Sequence, residues 1–182
     1  MTNAPIRQPC LIVLVGPPGS GKSDWACRHG AGAVIVSQDD LIDAITPHGF
    51  DHAFRPAYTA AEDAIGRAGL SAGFPVIVDR TNRTRALRAR WTRIAREAGC
   101  QAVAVVMTAG DDLCRARNRA RKDHRRVSDE RMERMLAAME PVGRDEAFSA
   151  VFRDEEVTLR EILEYLQQTT RKELHEYCNQ AR

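Results

Sequence analysis

The chain has 182 residues, of which 43% are hydrophobic and 29% charged, and its formal net charge is +2. These values exclude a disordered or collagen-like chain and are sufficient for one core without disulfides or structural metals. The small excess of positive charge argues against a general nucleic-acid coat, but it is unevenly spread: arginines crowd residues 80–134 and carboxylates dominate after 140, as suits an anionic substrate.

Residues 1–9 are polar and proline-bearing and read as a loose arm. No apolar leader follows Met1, and no run approaches the roughly 18 apolar residues of a membrane span, so neither is expected. Residues 11–15 form the first strand signal. The next eight, Gly16-Pro17-Pro18-Gly19-Ser20-Gly21-Lys22-Ser23, fit G-x-x-x-x-G-K-[ST] at every fixed position and lead into a helix over 22–29. That spacing serves nucleotide phosphates. Glycines let backbone N–H groups converge on phosphate oxygens, Lys22 reaches the β and γ oxygens, and the Ser23 hydroxyl is a Mg²⁺ ligand. ATP or GTP is the expected ligand.

Ala33-Val34-Ile35-Val36 reads as a short buried strand ending at Ser37-Gln38-Asp39-Asp40. A carboxylate there can deprotonate an acceptor hydroxyl or reach Mg²⁺ through water, and Asp39, nearer the strand end, is the candidate. The alternative is that Asp39 only caps a helix over 41–45. GFDHAFRPAY, residues 49–58, is a polar-aromatic loop that includes Arg55, with Pro56 opening a helix to about 70. The strand FPVIVD ends in Asp79, positioned for a Mg²⁺ shell. Thr81 and Asn82 then either contact substrate or turn the chain into the cap Thr84. From Thr84 a helix of about 14 residues places Leu87, Trp91, Ile94, Ala95 and Ala98 at helical period.

Residues 102–106 are another buried strand. Asp111-Asp112 begin a short helix into CRARNRARKDHRR, where Arg117 and Arg121 stand four apart on one helical face beside Asn118. Such a helix suits a lid over the phosphate loop. The plainer alternative is a solvated face whose arginines are held by Asp111, Asp112 and Asp123. Ser128 opens a helix carrying Met132, Met135, Leu136 and Met139, stopped by Pro141. Residues 150–152 are the last strand candidate. A final helix from 158 carries Leu159, Ile162, Leu163 and Leu166 on one face, with a break expected near Thr169-Thr170.

Non-alternating strands separated by amphipathic helices predict an α/β, three-layer fold: a mostly parallel central sheet, helices on both faces and an arginine-rich helical lid over about 111–127. Residues 10–157 form the domain, with 158–182 a helical segment packed on it. Ligands bind such folds beyond the carboxyl ends of the strands, which gathers the loop at 16–23, Asp39, Asp79 and the residues after Val106. The cysteines Cys10, Cys27, Cys100, Cys114 and Cys178 show no metal-ligand spacing and read as reduced cytosolic residues. Oligomeric state is left open.

Together these motifs resemble the P-loop kinase family that includes the kinase domain of phage-type polynucleotide kinase and its zeta-toxin-like relatives, over about residues 10–155. GPPGSGKSDWA is similar to the family's GxPGSGKSTWA, with Asp24 in place of the frequent threonine. This implies Gly16, Gly19, Ser20, Gly21, Lys22, Ser23 and Asp24 for ATP and Ser23 for Mg²⁺, with Asp79 on the metal through water. SQDD resembles the segment whose first aspartate is the general base, which implies that role for Asp39. VIVDRTNRTRALRARW resembles VDxTNLxxxxRxxW, an element of acceptor contacts, and CRARNRARK resembles R-N-x-x-R, which implies phosphate contacts by Arg117 and Arg121. Two departures stand out: Ile42 where polynucleotide kinase has an arginine, and Arg80 where it has an aspartate. Acceptor recognition is therefore expected to be rearranged, with Arg80, Arg83 or Arg55 meeting a 3′-phosphate. The resemblance implies an ATP- and Mg²⁺-dependent kinase for the 5′-hydroxyl end of DNA or RNA in nucleic acid repair. Its setting would be cytoplasmic, and a phage-encoded enzyme in a host cytoplasm is one form of that. A modified base, nucleoside, sugar or other small-molecule hydroxyl is the alternative acceptor, and a nucleotide-dependent binding module the alternative class.

Overall fold

A computed structural model describes residues 8–46, 48–121 and 123–180, without the side chains of 123, 173, 174, 177, 178 and 180. Most of the expected arm at 1–9 therefore lies outside the described residues. Five strands, β1 (Cys10–Val15), β2 (Val34–Ser37), β3 (Val76–Asp79), β4 (Gln101–Val106) and β5 (Ala150–Arg153), form one sheet in the order β2-β3-β1-β4-β5. Every pairing is parallel. The strands follow the apolar runs read from the sequence because β1, β3 and β4 are buried on both faces and need no polar alternation.

Among the described residues seven α-helices complete the layers: α1 (Lys22–His29), α2 (Gln38–Ile45), α3 (Arg55–Ser71), α4 (Arg85–Glu97), α5 (Asp111–Arg119), α6 (Asp129–Ala137) and α7 (Leu159–Gln180). On one face of the sheet Ile12, Leu14, Ile77 and Val103 pack with Trp25 of α1 and Ile162 and Leu166 of α7. On the other, Leu11, Val13, Val76 and Val78 pack with Leu70 of α3 and Trp91 and Ile94 of α4. The α/β, three-layer reading and the arginine-rich helical region are thus what the chain folds into. Among the described residues no helix is long and apolar enough to cross a membrane.

Local signals set the helix ends. Thr84 caps α4 through Leu87 N–H at 3.3 Å, and Ser128 caps α6 through Arg131 N–H at 3.4 Å. Thr158 and Glu161 exchange bonds as a capping box at the start of α7. No break occurs at Thr169-Thr170. Their hydroxyls donate to the carbonyls of Tyr165 and Leu166, both at 3.0 Å, and α7 runs on through them.

One buried charge ties the loops behind the sheet. Arg88 is fully buried; it donates to both carboxylate oxygens of Glu146 at 2.7 Å and to the carbonyls of Asn82, Glu140 and Pro141 at 3.0–3.1 Å. The loop after β3 is thereby fixed to the segment leaving α6. Breaking a buried pair on one side strands the other charge, so Arg88→Leu is expected to destabilise the fold by about 3–5 kcal/mol in denaturant titration. Adding Glu146→Leu should recover part of that loss. A loss for Arg88→Leu alone of no more than about 1 kcal/mol would contradict this, since exposed pairs contribute that little.

Candidate active site

Parallel register brings three strand ends together. Ser37 at the end of β2 pairs with Asp79 at the end of β3, and Val13 of β1 lies beside Val78, so the loops leaving these strands share one edge. The backbone of the phosphate loop is held tightly there. Gly19 has φ +78°, and a Cβ on it would stand 2.4 Å from the Cys114 carbonyl oxygen of α5; Gly21 has φ +100° at the N-cap of α1. No side chain caps α1, which leaves its first amides free for an anion. Gly16 N–H donates to Thr81 O at 3.1 Å, joining the loop to the one after β3.

Lys22 is buried, and its Nζ donates to Pro17 O at 2.7 Å and Ser20 Oγ at 3.2 Å. Burial lowers its pKa to about 8, with the Asp79 carboxylate opposing. Asp79 is pushed the other way: burial raises its pKa, against the Ser23 hydroxyl bonded to it and the Lys22 charge. Ser23 and Asp79 therefore form an adjacent pair of oxygen donors, of the kind a Mg²⁺ ion takes. Among the described residues no group of three or more His, Cys, Asp or Glu side chains could hold a metal unaided. An ion held by Ser23, with Asp79 reached through water, would complete its shell with phosphate oxygens and further water.

Asp39 lies in the first turn of α2, whose cap is Ser37, accepting from Asp40 N–H at 3.3 Å; the capping role considered for Asp39 belongs to Ser37, two residues earlier. Arg121 Nη2 donates to Asp39 Oδ2 at 3.2 Å. The expectation that Arg117 and Arg121 share a helical face is corrected, because α5 ends at Arg119 and Arg121 lies past its cap. The two converge all the same. Arg117 Nη1 donates to Gly19 O at 3.4 Å, while Asn118, fully buried, braces the returning chain by donating to Val127 O at 2.7 Å and accepting from Val127 N–H at 3.1 Å.

A cavity of about 820 Å³ opens over these groups. Gly19, Gly21, Lys22, Ser23, Asp24, Asp39, Arg55, Asp79, Arg80, Thr81, Arg83, Arg117 and Arg121 all line it; Gly16 and Ser20 do not. Asn82 does not either. It is fully buried with φ 45°, and its amide donates to Leu14 O at 2.8 Å, so it holds the loop to β1. Arg80 reaches the cavity with Nη1 already committed to Glu62 at 2.8 Å, an oxygen it shares with Arg90. Asp43, Tyr58, Thr59, Arg131 and Met135 also line the cavity and were not singled out from the sequence. Asp43 had a signal, four residues beyond Asp39; Arg131 had none, since only the placement of α6 turns it inward. Lysine and arginine outnumber carboxylates nine to four around the wall, which makes this a site for anions.

The buried lysine gives a signed pH dependence. Below about pH 8 Lys22 is charged in both folded and unfolded chains; between there and its ordinary 10.5 only the folded protein sheds the proton, so this group makes stability rise with pH in that window. A bound phosphate favours the charged form. Nucleotide binding at about pH 9 should therefore take up a proton that binding at about pH 6.5 does not, as read by calorimetry in buffers of different ionisation enthalpy. Lys22→Met should abolish the difference. Equal proton uptake at both pH values would overturn this account.

The AAA domain family matches residues 11–142. Among solved structures, Kti12 of Chaetomium thermophilum in complex with ADP-AlF3 is 19% identical with a TM-score of 0.62, over 87% of this chain and 97% of that one. A gluconokinase of Sinorhizobium meliloti 1021 is 20% identical with a TM-score of 0.58, over 94% and 99%. A chain of the Pnkp1/Rnl/Hen1 RNA repair complex is 23% identical with a TM-score of 0.61, over 76% of this chain and 46% of that one. At these identities the likeness to the solved structures is one of fold.

Proposed function

The chain belongs to the AAA domain family; on that footing we propose that it is a P-loop kinase-type enzyme that moves the γ-phosphoryl group of ATP to a hydroxyl of a small anionic acceptor. One observation carries this reading. Arg55, Arg83 and Arg131 line the same cavity as Lys22 and Asp39, and none of them takes part in an ion pair among the described residues. Arginines lining a cavity without carboxylate partners suit an acceptor that brings its own negative charge.

The steps follow from the side chains. Lys22 and the loop amides hold the β and γ phosphates, and Asp24 and Arg117 border the same phosphates. Ser23 would hold Mg²⁺ directly and Asp79 through water, and that ion supplies charge neutralisation at the phosphates. Asp39 accepts the proton of the acceptor hydroxyl as its oxygen bonds to the γ phosphorus; the bond from that phosphorus to the β–γ bridging oxygen breaks, and ADP keeps the electron pair. Arg117 and Arg121 face the charge that develops on the moving group. Arg55, Arg80, Arg83 and Thr81 receive the acceptor.

A second reading, transfer to the 5′-hydroxyl end of DNA or RNA in repair, is favoured by the TNxxxxxRxxW spacing at 81–91 and by the likeness to a chain of an RNA repair complex. The small acceptor is preferred because the gluconokinase matches over nearly its whole length. A screen with purified protein, Mg-ATP, 5′-hydroxyl DNA and RNA, nucleosides, sugar acids and phosphorylated small alcohols separates the two. Transfer confined to the oligonucleotides would sink the preferred reading. With whichever acceptor works, Asp39→Asn should lower kcat by about 10²–10⁴-fold. A variant with full activity would remove Asp39 as the base.

A further inference from the structure

Beside the groups that this reading uses stands a set of ion pairs that it leaves idle. Arg125, at the end of the 3-10 turn Asp123–Arg125, donates Nη2 to Asp40 Oδ1 at 2.8 Å and Nε to Asp43 Oδ2 at 3.0 Å, with a further bond from Nη2 to Asp43. Asp40 and Asp43 are three residues apart on α2 and so share a face, the one next to Asp39. The main chain of Arg125 is also engaged. Its carbonyl accepts from Arg121 Nη1 at 3.2 Å, while Arg121 Nη2 reaches Asp39. One guanidinium is thus aimed by two partners: the candidate base in front and the clasped Arg125 behind.

These pairs do little for the fold. Arg125, Asp43 and Asp40 are 37%, 36% and 67% exposed, and pairs that open to water and salt contribute little to folding. What a fork held between two carboxylates fixes is geometry. A clasp spanning 82 and 85 residues of chain is accordingly a device for placing one segment against another.

We propose that Asp40 and Asp43 are positioning residues: by clasping Arg125 they hold Arg121 against Asp39, at the wall of the cavity that the phosphate loop also lines. From there it can shift to the phosphoryl group in transit and leave Asp39 free to take the acceptor proton. The inference rests on the phosphoryl-transfer reading above, and it adds that the carboxylates of α2 act on the donor half of the site through the lid.

The test needs no acceptor. Aluminium fluoride with Mg-ADP mimics the phosphoryl group in transit, so the ratio of the Kd for Mg-ADP alone to the Kd with fluoride reads the contribution of Arg121. In Asp43→Asn, Asp40→Asn/Asp43→Asn and Arg125→Gln, that ratio should fall roughly tenfold, within the usual range of a coupling between sites. The Kd for Mg-ADP alone and the melting temperature should hold, and Asp43→Glu should keep most of the ratio. An unchanged ratio in the charge-removing variants would overturn the positioning role alone. An equal loss with and without fluoride would also overturn it, by showing the clasp to be merely structural. No fluoride-dependent tightening in the unaltered protein would overturn the transfer reading and this inference with it.

Discussion

An ammonium group kept out of water with only a carbonyl and a hydroxyl for partners is the constraint on which the rest of this structure depends. Lys22 bonds Pro17 O and Ser20 Oγ, and the Asp79 carboxylate attracts it without a direct bond, too weakly to offset burial. Burial of a charge so incompletely matched is unfavourable unless something else supplies the countercharge. The surrounding backbone keeps it in place: Gly19 abuts the Cys114 carbonyl, Gly16 bonds Thr81, and Asn82 bonds Leu14. The lowered pKa of Lys22 is therefore a property of the frame and not of the lysine alone.

Arg88 is the instructive contrast. It is as deeply buried, but a carboxylate and three carbonyls satisfy it completely. A buried cation with every donor matched holds a structure together, whereas one short of countercharge is poised for a ligand. The two work in series. Arg88 fixes the loop carrying Thr81, Thr81 fixes Gly16, and the loop that Gly16 opens presents Lys22. The donor side is thus stiff. The contacts from the arginine-rich segment to α2 are exposed ion pairs, which exchange partners at little cost.

The sequence made the donor half legible and the acceptor half only in outline, for a physical reason. Strands buried on both faces, the glycine spacing and the caps at Thr84 and Ser128 are local, and periodicity or turn chemistry reports them directly. The partners of Arg80 and Arg121 are not local: Glu62 lies 18 residues from the one and Asp39 82 from the other. No pattern announced that Asn82 turns inward or that α5 stops at Arg119. At Thr169-Thr170 two β-branched residues suggested a break, but their hydroxyls satisfy the helix's own carbonyls and the apolar face before them already anchors it.

The two departures from the polynucleotide kinase pattern now have a common physical sense. Ile42 removes a cation from α2, and Arg80, which adds one after β3, has part of its fork taken by Glu62. The positive charge next to α2 comes instead from Arg121 and Arg125, which belong to the arginine-rich segment. That segment also meets the phosphate loop, through the Cys114 carbonyl beside Gly19 and through Arg117. One segment therefore touches both the phosphate loop and α2, and a ligand that displaced Arg121 would remove a cation from beside Asp39.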